Sequence, residues 1–199
     1  MWKRAPNYFD VVAYTGNNTA GNTAKHNLGV APEMMWIKKR SGAGNWVVYH
    51  KDLNNSSPTS PNDFYLRLDS STLEASDNNY FWNNTAPTAD TITFGINANV
   101  NQTSQTYIAY LFASLDGISK VGSVTHSGTT NVDCGFTSGA RFVLLKRTDA
   151  SGDWYVWDST RGIVSGNDPY LLLNTTAAKV TSTDYIDPLS SGFTITSSF

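Results

Sequence analysis

The sequence contains a single cysteine, Cys134, among its 199 residues. An internal disulfide is therefore impossible, and a cysteine-based zinc cluster is excluded. Charged residues amount to only 15%, both signs are scattered and the net charge is −2, so no basic stripe is available to bind a phosphate backbone. The apolar runs are far shorter than the roughly 20 residues that span a bilayer. We expect no nucleic-acid partner and no membrane insertion.

Strong helix formers are also scarce, since Glu33 and Glu74 are the only glutamates. Ser, Thr, Asn and Gly are frequent, and they separate short segments rich in Val, Ile, Tyr, Phe and Trp. β-Branched and aromatic residues favour strands, whereas Gly and Asn favour turns. The composition predicts an all-β protein with many turns.

Alternating apolar runs bounded by turn residues mark the predicted strands. Strands are predicted at 8–16, 33–40, 46–50, 64–69, 79–82, 91–96 and 106–113, and then at 118–125, 141–147, 154–158, 169–176 and 192–198. One helical turn at most is predicted, at 70–76.

The second half of this strand order repeats the first. The stretch KKRSGAGNWVVYHKD (38–52) returns as KRTDASGDWYVWDST (146–160), which places Trp46 and Trp154 108 positions apart. We interpret this as an internal duplication of a unit of about 105 residues. Seven or so strands per copy are about what a two-sheet sandwich needs.

The predicted fold class is therefore all-β, with two tandem antiparallel β-sandwich (jelly-roll-like) repeats. Residues 1–7 are interpreted as the end of a preceding repeat or a linker. The first sandwich covers 8–114, and the second covers 115–199 without its last strand. Met1–Arg4 could supply a missing strand to the second copy or to a neighbouring subunit by strand addition.

Three segments of the first copy resemble a repeat of tail-fibre and related structural proteins of marine bacteriophages. They read FDVVAYTGNNTAGNTAKHNLGVAPEMMWIKKR (9–40), NWVVYHKDL (45–53) and FWNNTAPTADTITFG (81–95). The second copy departs from the pattern, because NVDCGF (131–136) replaces the HNLG segment. The resemblance implies a virion appendage, built as a homotrimer together with other virion tail proteins, and it brings no catalytic residues with it.

Aromatic rings beside amides suit carbohydrate binding, and the segment NNYFWNN (78–84) has both. Trp82 is flanked by asparagines and has no aligned partner in the second copy, so we expect it to be exposed, and it is the first candidate for a glycan contact, with Tyr80 and Asn83 beside it. Trp157 is a further candidate, because it is out of phase with Trp154 on its predicted strand and should face away from it, outward or into a subunit interface. Trp46 and Trp154 recur in both copies and are predicted to be core residues.

Catalytic and metal sites are not predicted. Glycoside hydrolysis needs two placed carboxylates, but Glu33 aligns with Arg141 and Glu74 aligns with Lys179. His50 likewise aligns with Asp158, so a shared metal site is not expected, and no cofactor is predicted. The predicted function is a structural and adhesive segment of a phage tail fibre or virion appendage that contacts host surface glycans. The alternatives are a free-standing carbohydrate-binding module and a purely structural filament or shell protein.

Overall fold

The structure is a computed structural model, and it describes residues 4–53, 61–73, 75–76 and 79–199. Strands hold 36% of the residues and helices 3%, so the all-β prediction is confirmed. The chain divides into two compact units, Met1–Ser114 with Thr148–Ser151 and Leu115–Arg147 with Gly152–Phe199. The expectation that Met1–Arg4 pairs as a strand falls largely on residues 1–3, which lie outside the described residues.

The first unit contains eight strands among its described residues. They are β1 (Phe9–Thr15), β2 (Asn22–Lys25), β3 (Met34–Lys39), β4 (Val47–His50), β5 (Phe64–Arg67), β6 (Ala75–Ser76), β7 (Thr91–Phe94) and β8 (Thr106–Phe112). A 3₁₀ turn at Pro61–Asp63 precedes β5, and a short helix, α1 (Ala98–Asn101), precedes β8.

Six of these strands form one antiparallel sheet in the order β1-β8-β3-β4-β5-β6, while β2 and β7 form a separate two-stranded ribbon. Strand β8 comes last in the unit but lies between β1 and β3. It pairs with β1 from Phe9↔Phe112 to Thr15↔Thr106 and with β3 from Met34↔Phe112 to Lys39↔Tyr107. The first unit therefore depends on β8 to join its first strand to the rest of the sheet.

Alternation along the strands creates the core of the first unit. In β8 the residues at alternate positions, Tyr107, Ala109 and Leu111, are fully buried. Their neighbours in the core come from β3, β4 and the ribbon, and include Met35, Ile37, Val47, Tyr49, Ala24, Ile92 and Phe94.

The second unit contains six strands. They are β9 (Thr130–Asp133), β10 (Phe142–Lys146), β11 (Trp154–Asp158), β12 (Leu171–Leu172), β13 (Ile186–Leu189) and β14 (Gly192–Ile195). They form two three-stranded sheets, β10-β11-β12 and β13-β14-β9. The core includes Val143, Trp157, Ile186 and Ile195.

Strand pairing in the second unit follows that of the first. The β3–β4 pair begins with Met34↔His50, and the β10–β11 pair begins with Phe142↔Asp158, 108 positions further on. The ribbon β2–β7 also has a counterpart in the pair β9–β14. Each contains four residue pairs, which run from Asn22↔Phe94 to Lys25↔Thr91 in the first unit and from Thr130↔Ile195 to Asp133↔Gly192 in the second. The same backbone ladders therefore recur at matching positions of the two units.

Side-chain hydrogen bonds at the hairpin recur as well. The ammonium group of Lys38 donates to the carbonyl oxygen of Gly44, and that of Lys146 donates to Gly152 O at 2.6 Å. Both bonds fix the small-residue loop that precedes the tryptophan of the hairpin.

The backbone of that tryptophan is held in the same way in both units. The N–H of Trp46 donates to Asp69 Oδ2 at 3.2 Å, and the N–H of Trp154 donates to Asn174 Oδ1 at 2.9 Å. Trp154 is buried, as predicted, whereas Trp46 is only half-buried.

Two predicted strands are wrong. The described part of 79–82 lies in a turn instead of a strand, and 118–125 contains no strand. Segment 118–125 resembles 8–15 in sequence, but β1 is a strand because β8 lies beside it, and residues 118–125 have no such neighbour strand in the described chain. The short strands β2, β6, β9 and β13 and helix α1 were not predicted, and β6 lies in the segment 70–76 for which at most a helical turn was predicted.

Candidate functional site

Trp82 is a core residue. Only 1% of its surface is exposed, its ring lies edge-on to Tyr49 with the centroids 5.6 Å apart, and its indole N–H donates to Phe64 O at 2.8 Å. The expectation of an exposed Trp82 is wrong, because the flanking asparagines shape a turn and the indole ring points into the core of the first unit.

Trp157 is also buried, with 0% of its surface exposed. It lies on the opposite face of β11 from Trp154, as its phase predicts, but that face is the core of the second unit. The ring packs against Tyr170 at 5.6 Å and Tyr155 at 5.8 Å. Both predicted orientations of Trp157, outward and into a subunit interface, are wrong, since the ring is buried among aromatic neighbours of its own unit.

Tyr80 and Asn83 occupy an accessible turn at residues 79–84. Tyr80 is 54% exposed, whereas the two residues that follow it, Phe81 and Trp82, are buried. The ring of Phe81 lies 4.2 Å from that of Tyr65. The turn is thus anchored by two buried aromatic side chains, and Tyr80 projects from an anchored backbone.

Three asparagines give this turn an unusual backbone. Asn79, Asn83 and Asn84 all have positive φ angles, of 82°, 52° and 47°. Asparagine tolerates the left-handed region better than other residues with a side chain. Strained backbone of this kind concentrates at functional sites, so the turn is a candidate site on geometric grounds.

Close backbone contact with the end of β7 holds the turn in place. The N–H of Gly95 donates to Phe81 O at 2.8 Å, and the N–H of Asn97 donates to Tyr80 O at 2.9 Å. A Cβ at Gly95 would lie 2.1 Å from Asn79 O, so only glycine permits this approach.

The surroundings of Tyr80 combine apolar and amide groups. Ile96, next to the anchoring glycine, is 42% exposed. The side chain of Asn84 accepts a hydrogen bond from Asn62 Nδ2 at 3.2 Å. An exposed phenol ring beside carboxamides can stack on a sugar ring and bond its hydroxyls. Asn78, which the sequence places next to this turn, lies outside the described residues.

The second unit has no aromatic residue at the equivalent position. The N–H of Thr196 donates to Tyr185 O at 3.0 Å, as that of Gly95 does to Phe81 O, so Tyr185 corresponds to Phe81. The residue before it is Asp184 instead of tyrosine. The candidate site, defined as Tyr80, Asn83 and Asn84 with Ile96, therefore belongs to the first unit alone.

Sequence reasoning missed the residue that organises the neighbouring loops. Asn101 is fully buried; its amide group donates to Thr19 O at 2.9 Å and Gly95 O at 2.6 Å. Its carbonyl oxygen accepts from Asn17 N at 3.0 Å and Asn22 Nδ2 at 2.8 Å. In so asparagine-rich a sequence, no local signal distinguishes this residue from the exposed asparagines.

The histidines and acidic residues were also considered as metal ligands. The described residues contain no group of three or more His, Cys, Asp or Glu side chains placed to hold a metal ion. His26 lies between Thr88 O, at 3.1 Å from Nε2, and Leu28 N, at 3.2 Å from Nδ1. Both ring nitrogens of His26 therefore contact the backbone.

Among the described residues, none of the helices has the length and apolar character needed to cross a membrane.

The fold defines an all-β protein. The chain belongs to the family described as a domain of unknown function (DUF7483), whose family model matches residues 5–199. No curated protein matches the sequence. No solved structure matches it either.

Proposed function

We propose that this chain is a structural and adhesive segment of a bacteriophage tail fibre or virion appendage, located in the virion. Its two units serve as tandem antiparallel β-sandwich (jelly-roll-like) repeats that extend a shaft. The recurrence of strand register and of the hairpin hydrogen bonds of Lys38 and Lys146 supports the repeat. The chain acts mechanically and by adhesion, without a catalytic step.

Adhesion to host surface glycans is assigned to the candidate site of the first unit. The observation that carries this assignment is the 54% exposure of Tyr80 on a turn whose backbone is fixed by Phe81 and Gly95. A rigid tyrosine provides a large contact area at a low cost in conformational entropy. Asn83 and Asn84 lie on the same turn and supply hydrogen-bonding groups for sugar hydroxyls.

The carboxylate of Glu33 illustrates why no catalytic role is proposed. It pairs with the ammonium group of Lys51 at 2.6 Å and accepts the backbone N–H of Ser114 at 2.7 Å. Burial alone would raise the pKa of Glu33, but these partners outweigh it and lower the pKa below its usual range. Glu33 is therefore ionised, and its carboxylate is held by these partners. It links the end of β8 to the start of β3 and is not available as a general acid.

A glycan array probed with the full chain tests the adhesive role. Wild type should bind a subset of surface glycans, and Tyr80→Ala should lose that binding by about tenfold or more, since truncation of a central aromatic contact residue costs about 2 kcal/mol or more. Leu173→Ala is the control, because Leu173 is also an exposed apolar residue, at 41%, but lies in the second unit. Absence of binding by wild type, or equal loss in both variants, would refute the adhesive role.

Light scattering during size-exclusion chromatography separates the shaft from a free-standing module. A shaft segment should elute as a homotrimer, whereas a free-standing carbohydrate-binding module should elute as a monomer that still binds glycans. A trimer without glycan binding would instead identify a purely structural filament or shell protein.

A further inference from the structure

The two units begin with the same backbone turn. Three backbone hydrogen bonds close residues 5–9, and the same three close residues 115–119, 110 positions further on. Asn7 has a φ of 70° in the first turn, and Gly117 has a φ of 73° at the same place in the second. The start of the second unit is therefore built like the start of the first.

After this turn the two units differ. In the first unit the chain continues as β1, which pairs with β8 over seven residues. In the second unit residues 120–127 belong to no strand. The turn is the same, so the difference lies in strand β8, which pairs with β1 and has no counterpart among the described strands of the second unit.

The edge of β10 differs from its counterpart in the same respect. Strand β3 lies between β8 and β4, whereas β10 pairs only with β11 among the described residues. Exposed apolar side chains occur both on β10 and in the segment that corresponds to the start of the first unit: Phe142 is 57% exposed, Ile118 is 58% exposed and Val124 is 41% exposed. The position of Val124 corresponds to that of Tyr14, which stacks on Tyr107 of β8 at 5.1 Å.

The edge of β10 that faces away from β11 is called the open edge below. A pocket lies at Arg141, directly before β10. It has a volume of about 380 Å³ and is lined by Ser138, Gly139, Ala140, Arg141, Ser159, Ile163 and Pro188. Arg141 takes the position of Glu33, because Ser159 N donates to Arg141 O as Lys51 N donates to Glu33 O. In the first unit the residues that follow β8 lie beside Glu33, whose carboxylate accepts the backbone N–H of Ser114.

We infer that the open edge of β10 is a seat for one extended strand of the β8 type, supplied by a second polypeptide chain. The seated strand runs antiparallel to β10, and its alternate side chains cover Phe142 and Val124. Main-chain hydrogen bonds supply the affinity and the alternating side chains supply the specificity, as in other cases of strand addition. The repeat in the first unit provides the template, because there β8 occupies the same place between β1 and β3.

The positive charge of Arg141 indicates which type of residue should follow the seated strand. In the first unit the acidic Glu33 receives the N–H of Ser114, whereas in the second the basic Arg141 occupies this place. A guanidinium group pairs best with a carboxylate. The strand that fits the seat therefore carries an acidic residue two positions after its last paired residue, where β8 is followed by Ser114.

The test adds synthetic peptides to the isotope-labelled full chain and follows amide hydrogen exchange by NMR. The probe is the sequence of residues 104–114 with Ser114→Glu, and the matched peptide carries Ser114→Lys. A third peptide carries Ile108→Pro and Tyr110→Pro, which prevent strand pairing. The readout is the exchange of the Phe142 and Leu144 amides, which face the open edge.

The Glu peptide should slow exchange at these two amides by about tenfold or more, the Lys peptide should slow it less, and the proline peptide should have no effect. The variant Arg141→Glu should reverse the order of the Glu and Lys peptides. The inference is overturned if no peptide slows exchange, if the proline peptide acts equally, or if Arg141→Glu leaves the order unchanged. It is also overturned if protection rises with the concentration of the chain alone, since two β10 edges would then pair with each other. None of these outcomes depends on glycan binding, so this inference and the adhesive role can fail separately.

Discussion

The indole N–H of Trp82 donates to the carbonyl oxygen of Phe64 across 2.8 Å. This bond crosses from the turn that bears Tyr80 to strand β5, and it uses the only polar atom of the Trp82 side chain. Trp157 is buried to the same degree, but its Nε1 has no hydrogen-bond partner in the described structure. The two tryptophans therefore form a natural pair for measuring what the bond contributes.

Replacement of each tryptophan by phenylalanine should have unequal effects. Trp82→Phe removes ring volume and also leaves Phe64 O without its donor, whereas Trp157→Phe removes a similar volume and an unpaired N–H. The loss in free energy of unfolding should be about 1–3 kcal/mol greater for Trp82→Phe. Urea unfolding followed by circular dichroism measures both losses, and equal losses would show that the bond contributes nothing.

The hydrogen bonds of Asn101 predict a large loss on truncation. Asn101→Ala removes four side-chain hydrogen bonds at a fully buried position and leaves backbone groups such as Gly95 O unpaired. The free energy of unfolding should fall by about 2–4 kcal/mol. Asn27→Ala, at an exposed position, is the matched control and should change stability by less than about 0.5 kcal/mol. A small effect of Asn101→Ala would contradict the role assigned to this side chain.

Gly95 should be needed for the position of Tyr80. In Gly95→Ala the new methyl group would lie 2.1 Å from Asn79 O and 2.3 Å from Tyr80 O, so the turn must move at a cost of about 1–3 kcal/mol. Glycan binding should weaken together with stability. Gly42→Ala is the control, because its nearest neighbours lie at 3.9 Å. Unchanged binding in Gly95→Ala would show that adhesion does not depend on this turn.

The carboxyl group of Asp168 predicts an unusual pH dependence for the second unit. Asp168 is fully buried, and this burial, with Asp184 and Asp187 nearby, raises its pKa from 3.8 to about 6. The folded state then binds more protons than the unfolded state between these values. The stability that the protonated Asp168 carboxyl group contributes is therefore fully present below about pH 4 and is lost as the pH rises through about 6.

Asp168→Asn should abolish this loss, because the amide has nearly the same volume and no charge. Between pH 4 and pH 7 the free energy of unfolding of the wild type should therefore fall relative to that of the variant. Asp10 and Glu33, whose pKa values are lowered, contribute in the opposite direction at lower pH and are common to both proteins. A pH-independent difference between the two proteins would contradict the raised pKa.

Alternation in sequence predicted the long strands well, since Tyr107, Ala109 and Leu111 place every second side chain of β8 in the core. It failed for strand β2, because Ala24 is the only apolar residue among its four. It also failed for residues 118–125, where a strand needs a neighbour that no local pattern can supply. Pairing is a property of two segments, whereas periodicity is a property of one.

The candidate site was predicted in part. Tyr80 and Asn83 lie on an accessible turn, but the neighbouring Trp82 points inward although polar residues flank it. The sequence pattern predicted a strand at 79–82 where the structure has a turn, and it could not tell which of three consecutive aromatic residues would project. That choice depends on the approach of Gly95 and the carbonyl group of Phe64, which lie 15 positions after and 16 positions before Tyr80.

Residue-resolved hydrogen exchange of the free chain tests most directly whether the second unit has the pairing of the first with one edge open. In an antiparallel strand successive amides point to opposite neighbours, and Ser159 N bonds Arg141 O, so Phe142 and Leu144 face away from β11. These two amides should exchange fast, whereas their counterparts Met34 and Trp36, which face β8, should be protected. Equal protection at all four positions in dilute solution would contradict the open edge and the two-unit account with it.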